Sequence, residues 1–511
     1  MQKLYNPIIY MLFFNTLLTA SAVVPTATQQ PNIIVFLIDD MGVMDTSVPF
    51  ITDKNGNPQS YPLNEWYRTP NMEKMAKQGV RFSTFYAQSV SSPSRASLMT
   101  GKNAAHHRTT NWIDPNANNR TTFGPPEWNW NGLNPEDDLL PKLLKQAGYK
   151  TIHIGKAHFG PKGSASEDPS NIGFDINIGG CGIGHPGSYY GEDGYGNLKG
   201  QKSHAVPHLE KYHGSDTFLT EALTLEANEQ ISAAVKEDRP FFLYLSHYAV
   251  HSPFQVDKRY IDHYRNSDKG EQAEAYAALI EGMDKSLGDL MAHLQKEGIA
   301  ENTLVVFLGD NGGDAPLGDP NGHFSAAPLR GKKGSFYEGG VRVPFIMSWA
   351  QPASNKIQKD FPIASNAIYT QPAKIMDVYP TLLDLANVRY DRGQIDGVSL
   401  TKEMKGQKNK SRSNKILTHF PHGQHRGNYF TAFRDRDWKL IYHYNPENPD
   451  KPGYELYDLR NDPFEKLDLS SVYPKRLLNM TKNMIRELNK ENALYPIDKN
   501  GNILEPVLPT L

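Results

Sequence analysis

Short apolar runs alternate with helix-periodic segments along most of the chain. The run PNIIVFLIDD, residues 31–40, is apolar at successive positions, as a strand covered on both faces must be, and it ends in two carboxylates. TPNMEKMAKQG, 69–79, predicts a helix with Thr69 as its cap, Pro70 at its first position and Gly79 ending it. EDDLLPKLLKQAGY predicts a helix leading into the strand KTIHIG, and SDTFLTEALTLEANEQISAAVKE a long helix before the strand PFFLYLS. EQAEAYAALIEGMDKSLGDLMAHLQKEG then precedes TLVVFLGDNGG. Strand and helix in turn predict an α/β domain: a large doubly wound, mostly parallel sheet with helices on both faces. Sites in such sheets form beyond the carboxyl ends of the strands.

The stretches from about Phe254 to Gly270 and from Gly160 to Gly200 read as loops over that edge. Past Gly406, QKNKSRSNK reads as a polar linker or turn. NYFTAFRDRDWKLIYHYN and GYELYDLRNDPFEKLDLS then predict antiparallel strands, with a helix from Pro474 to Lys490 behind them. The expected division is a catalytic domain over 23–406 and a small C-terminal α+β subdomain over 407–511.

The N-terminus stands apart. Lys3, an apolar run from Ile8 to Leu18 and the small residues Ala20-Ser21-Ala22 have the form of a secretory signal over 1–22, cleaved near Ala22. The run is shorter than the ~20 apolar residues of a span and is broken by Asn15. The expectation is a protein exported to the periplasm without stable membrane insertion. With 511 residues the chain is long enough for a large domain and a smaller one. Its 54 basic and 56 acidic side chains leave a formal charge of −2 and no long basic run, which argues against a nucleic-acid partner. The single cysteine, Cys181, excludes an intrachain disulfide and reads as a small buried filler.

Unusual polar residues gather at the predicted strand ends. Asp39 and Asp40 close the first strand, and Asp310 and Asn311 a later one. Either pair alone could cap a turn; together they form an all-oxygen set suited to Ca²⁺ or Mg²⁺. GKAHFG supplies Lys156 and His158, SHYAVHSPF supplies His251, and LRGKKGSFYEGGVRVPF supplies Lys333 with Glu338 behind it. With Arg95, these groups would make a pocket for a tetrahedral oxyanion. The segment SVSSPSRASLMTGK, 89–102, could simply start a helix, or could offer one of its serines to that pocket.

Ser91-Ser92-Pro93-Ser94-Arg95, continued as ASLMTGK, resembles the signature of the formylglycine-dependent sulfatases, a family of the alkaline phosphatase-like superfamily. GKAHFG and LRGKKGSFYEGGVRVPF resemble two further motifs of that family, and the likeness runs from about Pro31 to Trp349. The resemblance implies that Ser91 is oxidised to formylglycine (3-oxoalanine) by an anaerobic radical maturase. A plain serine would become a sluggish sulfate ester, whereas a hydrated aldehyde keeps a second hydroxyl that can expel the sulfate. The resemblance further implies one Ca²⁺ on Asp39, Asp40, Asp310 and Asn311, with Ser91 beside it. It implies that Arg95 holds the modified side chain, that Lys102 supports the turn where Arg is commoner, and that Lys156 and Lys333 neutralise sulfate oxygens. His251 would protonate the departing sugar oxygen and His158 would help take a proton back.

Two other readings compete: a phosphatase or phosphodiesterase on the same fold, and a glycan-binding protein without catalysis. Neutral Asn311, where two-metal phosphoryl sites carry further charged ligands, favours the sulfatase reading. Aromatic content of 11% and loops rich in Gly, Asn, His and Trp suggest a sulfated carbohydrate from a host or algal glycan. Candidate readers of the sugar are Trp112, Trp128, Trp130, His185, His422, His425 and Arg426. His185, in CGIGHPGSYYG, would select sugar configuration, as with a galactose-type unit carrying a 3-O-sulfate.

Overall fold

The structure is a computed structural model that describes residues 30–318, 324–410 and 412–510; the expected signal lies outside the described residues. Its main sheet is built from β1 (Asn32–Ile38), β2 (Val80–Phe82), β4 (Lys150–Gly155), β5 (Ile176–Ile178), β6 (Phe241–His247), β7 (Thr303–Gly309), β8 (Phe345–Trp349) and β9 (Ala367–Tyr369). β3 (Phe85–Tyr86) and β10 (Ala373–Lys374) form a separate two-stranded ladder. The order is β5-β4-β6-β1-β7-β8-β2-β9, and only β8 runs antiparallel to its neighbours β7 and β2.

The side-chain period of two explains why β1 is apolar at successive positions. Ile34, Phe36 and Ile38 enter the core on one face, and Ile33, Val35 and Leu37 the core on the other. The helices Pro70–Gln78, Leu219–Lys236 and Glu271–Lys296 cover the first face. Ser91–Thr100, Leu140–Gln146 and Val378–Leu385 cover the second.

Three local expectations are corrected. Thr69 stands at the cap position, but its hydroxyl is engaged by Thr46 and Ser47. The Asp284 carboxylate, from the neighbouring long helix, accepts instead from the backbone amides of Asn71 (3.0 Å) and Met72 (2.8 Å). The 160–200 region is not all loop, because its residues 176–178 pair with β4 as the sheet's edge; three residues are too few to leave a periodic signal. The stretch after Gly406 is no free linker either. Arg412 is buried and holds Asp377 and Glu403, each at 2.6 Å.

The C-terminal sheet has four antiparallel strands, β11 (Lys415–Phe420), β12 (Phe430–Asp435), β13 (Trp438–His443) and β14 (Gly453–Asp458), where the sequence pattern had predicted only the last three. The helix Pro474–Lys490 packs Leu477, Met480, Met484 and Leu488 on it. A buried charge cluster joins this sheet to the main one. Lys439 on β13 bonds Glu338 (2.9 Å) and Glu465 (2.8 Å), and the Tyr86 hydroxyl donates to Glu338 (2.8 Å). Burial pushes Glu465 up to about 7. It also opposes ionisation of Glu338, where Lys439 and Arg342 outweigh it. Replacing Lys439 with Met would strand two buried carboxylates, so K439M should lose about 3–5 kcal/mol in denaturant unfolding.

Candidate active site

β4, β6, β1 and β7 lie side by side, so the residues just past their carboxyl ends meet. Asp39 and Asp40 leave β1, Asp310 and Asn311 leave β7, Lys156 and His158 leave β4, and His251 follows β6. Asp40 adopts a left-handed backbone (φ 58°). Its amide donates to Asp310 Oδ1 (3.0 Å), and its Oδ1 accepts from Asn311 Nδ2 (2.9 Å). Ligand oxygens of Asp39, Asp40 and Asp310 all lie within 4.8 Å of one another.

Ser91 is the first residue of its helix, and the position before it belongs to Val90. Its hydroxyl caps nothing; it donates toward Asp39 Oδ1 and Asn311 Oδ1, both at 3.1 Å, and accepts from Lys156 Nζ (3.2 Å). Ser94 makes the local helix-start contact, accepting from the Gln88 amide. The helix therefore presents Ser91 and its positive end to the carboxylates.

Three cations compensate three carboxylates here. Lys156 Nζ sits 2.8 Å from both oxygens of Asp39, and Lys333 Nζ sits 2.8 Å from Asp40 Oδ2. The Arg95 guanidinium grips Asp310 Oδ2 (3.0 and 2.9 Å), the Lys156 carbonyl (3.0 Å) and Ser246 Oγ (2.6 Å). Its Nη2 also lies 3.5 Å from Asp39 Oδ1 and makes no hydrogen bond among the described residues. Burial pushes Asp39 up to about 8 in spite of Lys156, and it lowers Lys156 in spite of Asp39. For Asp40, burial is outweighed by His251, Lys333 and Lys156, which hold it low. Carboxylates and an amide oxygen crowded at this density are a donor set that a hard divalent cation fits.

Two histidines complete the floor. His158 Nε2 donates to the Ile113 carbonyl (2.7 Å), which leaves Nδ1 as a buried acceptor without a partner. His251 Nδ1 faces the Ser252 carbonyl (2.9 Å), leaving Nε2 beside Lys333 Nζ (3.0 Å) and Asp40 Oδ2 (3.4 Å). Burial holds both imidazoles well below their usual range.

Above this floor lies a cavity of about 360 Å³. Ser91, Lys156, His158, His251 and Lys333 line it below, and Trp112 to Pro115, Gly184, His185, His204 and His425 line it elsewhere. The structure thus brings Trp112, His185 and His425 to the pocket. It does not bring His422, which is fully buried with Nε2 on Thr110 Oγ1 (2.9 Å) and Nδ1 on the Arg120 carbonyl (2.9 Å). Trp128 stacks edge-on against His422 and donates to Asn118, and Trp130 donates to the Asp114 carbonyl; neither lines the cavity. Arg426 holds the Lys333 carbonyl (3.1 Å) and Asp314 (2.9 Å), so it positions the Lys333 loop from outside the pocket. The Lys102 amide donates to Thr100 Oγ1 (3.2 Å) in the turn after the helix. Half-buried Cys181 packs against the core, its thiol pushed up to about 11 by burial. His204 and Asp114 went unnoticed in the sequence, since neither sits in a motif.

The fold and site define a hydrolase of the alkaline phosphatase-like class. A family model described as Sulfatase matches residues 31–388, and one described as N-sulphoglucosamine sulphohydrolase, C-terminal, matches 332–493. The chain belongs to the sulfatase family and is a sulfuric ester hydrolase. It is 32% identical over 401 residues to N-acetylgalactosamine-6-sulfatase of Mus musculus, covering 75% of this chain and 68% of that one. It is 27% identical over 556 residues to a sulfatase of Formosa agariphila, covering 98% and 95%. The solved structure of Ps i-CgsB in complex with k-i-k-neocarrahexaose is similar at a TM-score of 0.68 and 27% identity, covering 93% of this chain and 95% of that one.

Since both ring nitrogens of His422 are spent on the 110–124 loop, H422A should lower unfolding stability by about 1–3 kcal/mol. The ratio of kcat/KM values between any two sulfated sugars should stay unchanged, which steady-state kinetics on a substrate pair would check.

Proposed function

We propose that this chain is an exported carbohydrate sulfatase in which Ser91 is oxidised to formylglycine and one Ca²⁺ is held by Asp39, Asp40, Asp310 and Asn311. The observation that carries the reading is the placement of the Ser91 hydroxyl, 3.1 Å from two of those residues and 3.2 Å from Lys156. The name of the mouse relative, and the oligosaccharide bound in the solved neighbour, support a sulfated sugar of galactose type as substrate.

The cation, when bound, would offset charge on the sulfate oxygens. The aldehyde, as its hydrate, would supply the second hydroxyl that lets sulfate leave. The chain's own side chains do the rest. Lys156 and Lys333 place ammonium groups on two sides of the sulfate seat, and Arg95 keeps Asp310 and the β4 end in register under it. His251, its Nδ1–H fixed on the Ser252 carbonyl, keeps Nε2 free to pass a proton from the neighbouring Lys333 ammonium (3.0 Å) to the departing sugar oxygen. His158 offers its unpartnered Nδ1 to the proton released when the hydroxyl group returns to carbonyl. His185, on the cavity wall, contacts the sugar rather than the sulfate.

Protein made in a host with an anaerobic maturase should give a Ser91 peptide lighter by two hydrogens in mass spectrometry, and its turnover should rise with the modified fraction. Full turnover by wholly unmodified protein would refute the nucleophile. A second expectation separates His251 from simple binding. A sugar alkoxide leaves only with a proton, whereas a nitrophenolate does not need one. H251A should therefore lose about 10²–10⁴-fold in kcat on a sulfated sugar and far less on nitrophenyl sulfate.

A further inference from the structure

Among the described residues the cavity lining carries one cationic nest and no second. Lys156 and Lys333 are the ammonium groups on its lining, and both are committed to the floor, one to Asp39 and the other to Asp40. Away from the floor the ionisable groups on the wall are imidazoles and one carboxylate, Asp114. His185 and His204 stack face to face, ring centres 3.9 Å apart and 6° from parallel, as a flat plate. Burial pushes His185 down to about 4 and lowers His204 as well, so the plate is uncharged at neutral pH. Asp114 lies close enough to His204 for its charge to act on that ring. Its Oδ1 accepts from the amides of Asn116 (2.8 Å) and Ala117 (3.1 Å), which fixes the carboxylate in a turn. Oδ2 has no protein partner among the described residues.

We infer that the sugar unit seated in this pocket carries a single sulfate, the one being hydrolysed, and that Asp114 and His204 read free hydroxyls on that unit and reject a second sulfate. The inference rests on the sulfatase reading and narrows it. A carboxylate oxygen is a strong acceptor for a sugar hydroxyl, whereas an anionic sulfate in the same place would meet like charge and find no unspent cation. The imidazole plate and Trp112 offer flat faces to the sugar ring, and flat faces do not replace a counter-ion.

The test is calorimetric binding to cation-loaded Ser91→Ala protein, which cannot turn its ligand over. The probes are galactose 6-sulfate against galactose 2,6-disulfate, and N-acetylgalactosamine 6-sulfate against its 4,6-disulfate. The monosulfated member of a pair should bind about tenfold or more tightly than its partner. Adding Asp114→Asn keeps an oxygen for the turn while removing the charge, and should close most of that gap by improving the disulfated ligand. Adding His204→Ala should weaken the monosulfated ligand without closing the gap through charge. Equal or tighter binding of the disulfated sugars, a gap unmoved by Asp114→Asn, or no binding of any of the four overturns the inference. Discrimination that persists while mature wild-type protein hydrolyses no sulfate ester supports the pocket assignment and sinks the catalytic reading instead.

Discussion

Three buried carboxylates whose oxygens lie within 4.8 Å of one another are the constraint around which this molecule is arranged. Asp39, Asp40 and Asp310 have almost no exposure, and an uncompensated charge at that depth costs several kcal/mol. Arg95, Lys156 and Lys333 supply the compensation, each from a different part of the chain. The cluster is therefore both the chemistry and a set of long-range ties. It fixes the helix that carries Ser91 against β1 and β7, and it draws the loop after β4 and the loop before β8 onto the same edge.

The C-terminal sheet is part of that arrangement. Lys439 on β13 neutralises Glu338, five residues beyond Lys333, and Arg426 bonds the Lys333 carbonyl itself. The Gly427 amide donates to the Gly334 carbonyl (2.7 Å). A Cβ at Gly334, whose φ is +78°, would lie 1.7 Å from the His425 ring. The loop that carries Lys333 is thus pinned between the two sheets, and His425 reaches the cavity only because that glycine lets it pass.

Much of the architecture was legible as period and punctuation. β1, β6 and β7 are largely continuous apolar runs because both faces are covered, and their ends, with that of β4, coincide with the acidic and basic residues of the cluster. The antiparallel β8 was not legible, because a strand's direction is set by its partners and leaves no mark on its own residues. The three-residue edge strand β5 was missed for lack of length.

For the site, motif spacing was enough to predict that Ser91, Arg95, Lys156, His158, His251 and Lys333 gather at the strand ends. It failed where function rests on what a side chain faces. His185 and His422 look alike as loop histidines near glycine, yet His185 stacks with His204 over an open cavity while His422 has both nitrogens spent inside the protein. Asp114 and His204 belong to no motif and line one cavity only because loops 90 residues apart in sequence meet over one edge of the sheet. The sequence by itself determined the long central strands and the polar groups at their ends, since local periodicity and motif spacing encode both. Which polar groups stay free to meet a ligand was decided by the tertiary structure alone, because that depends on partners far away along the chain.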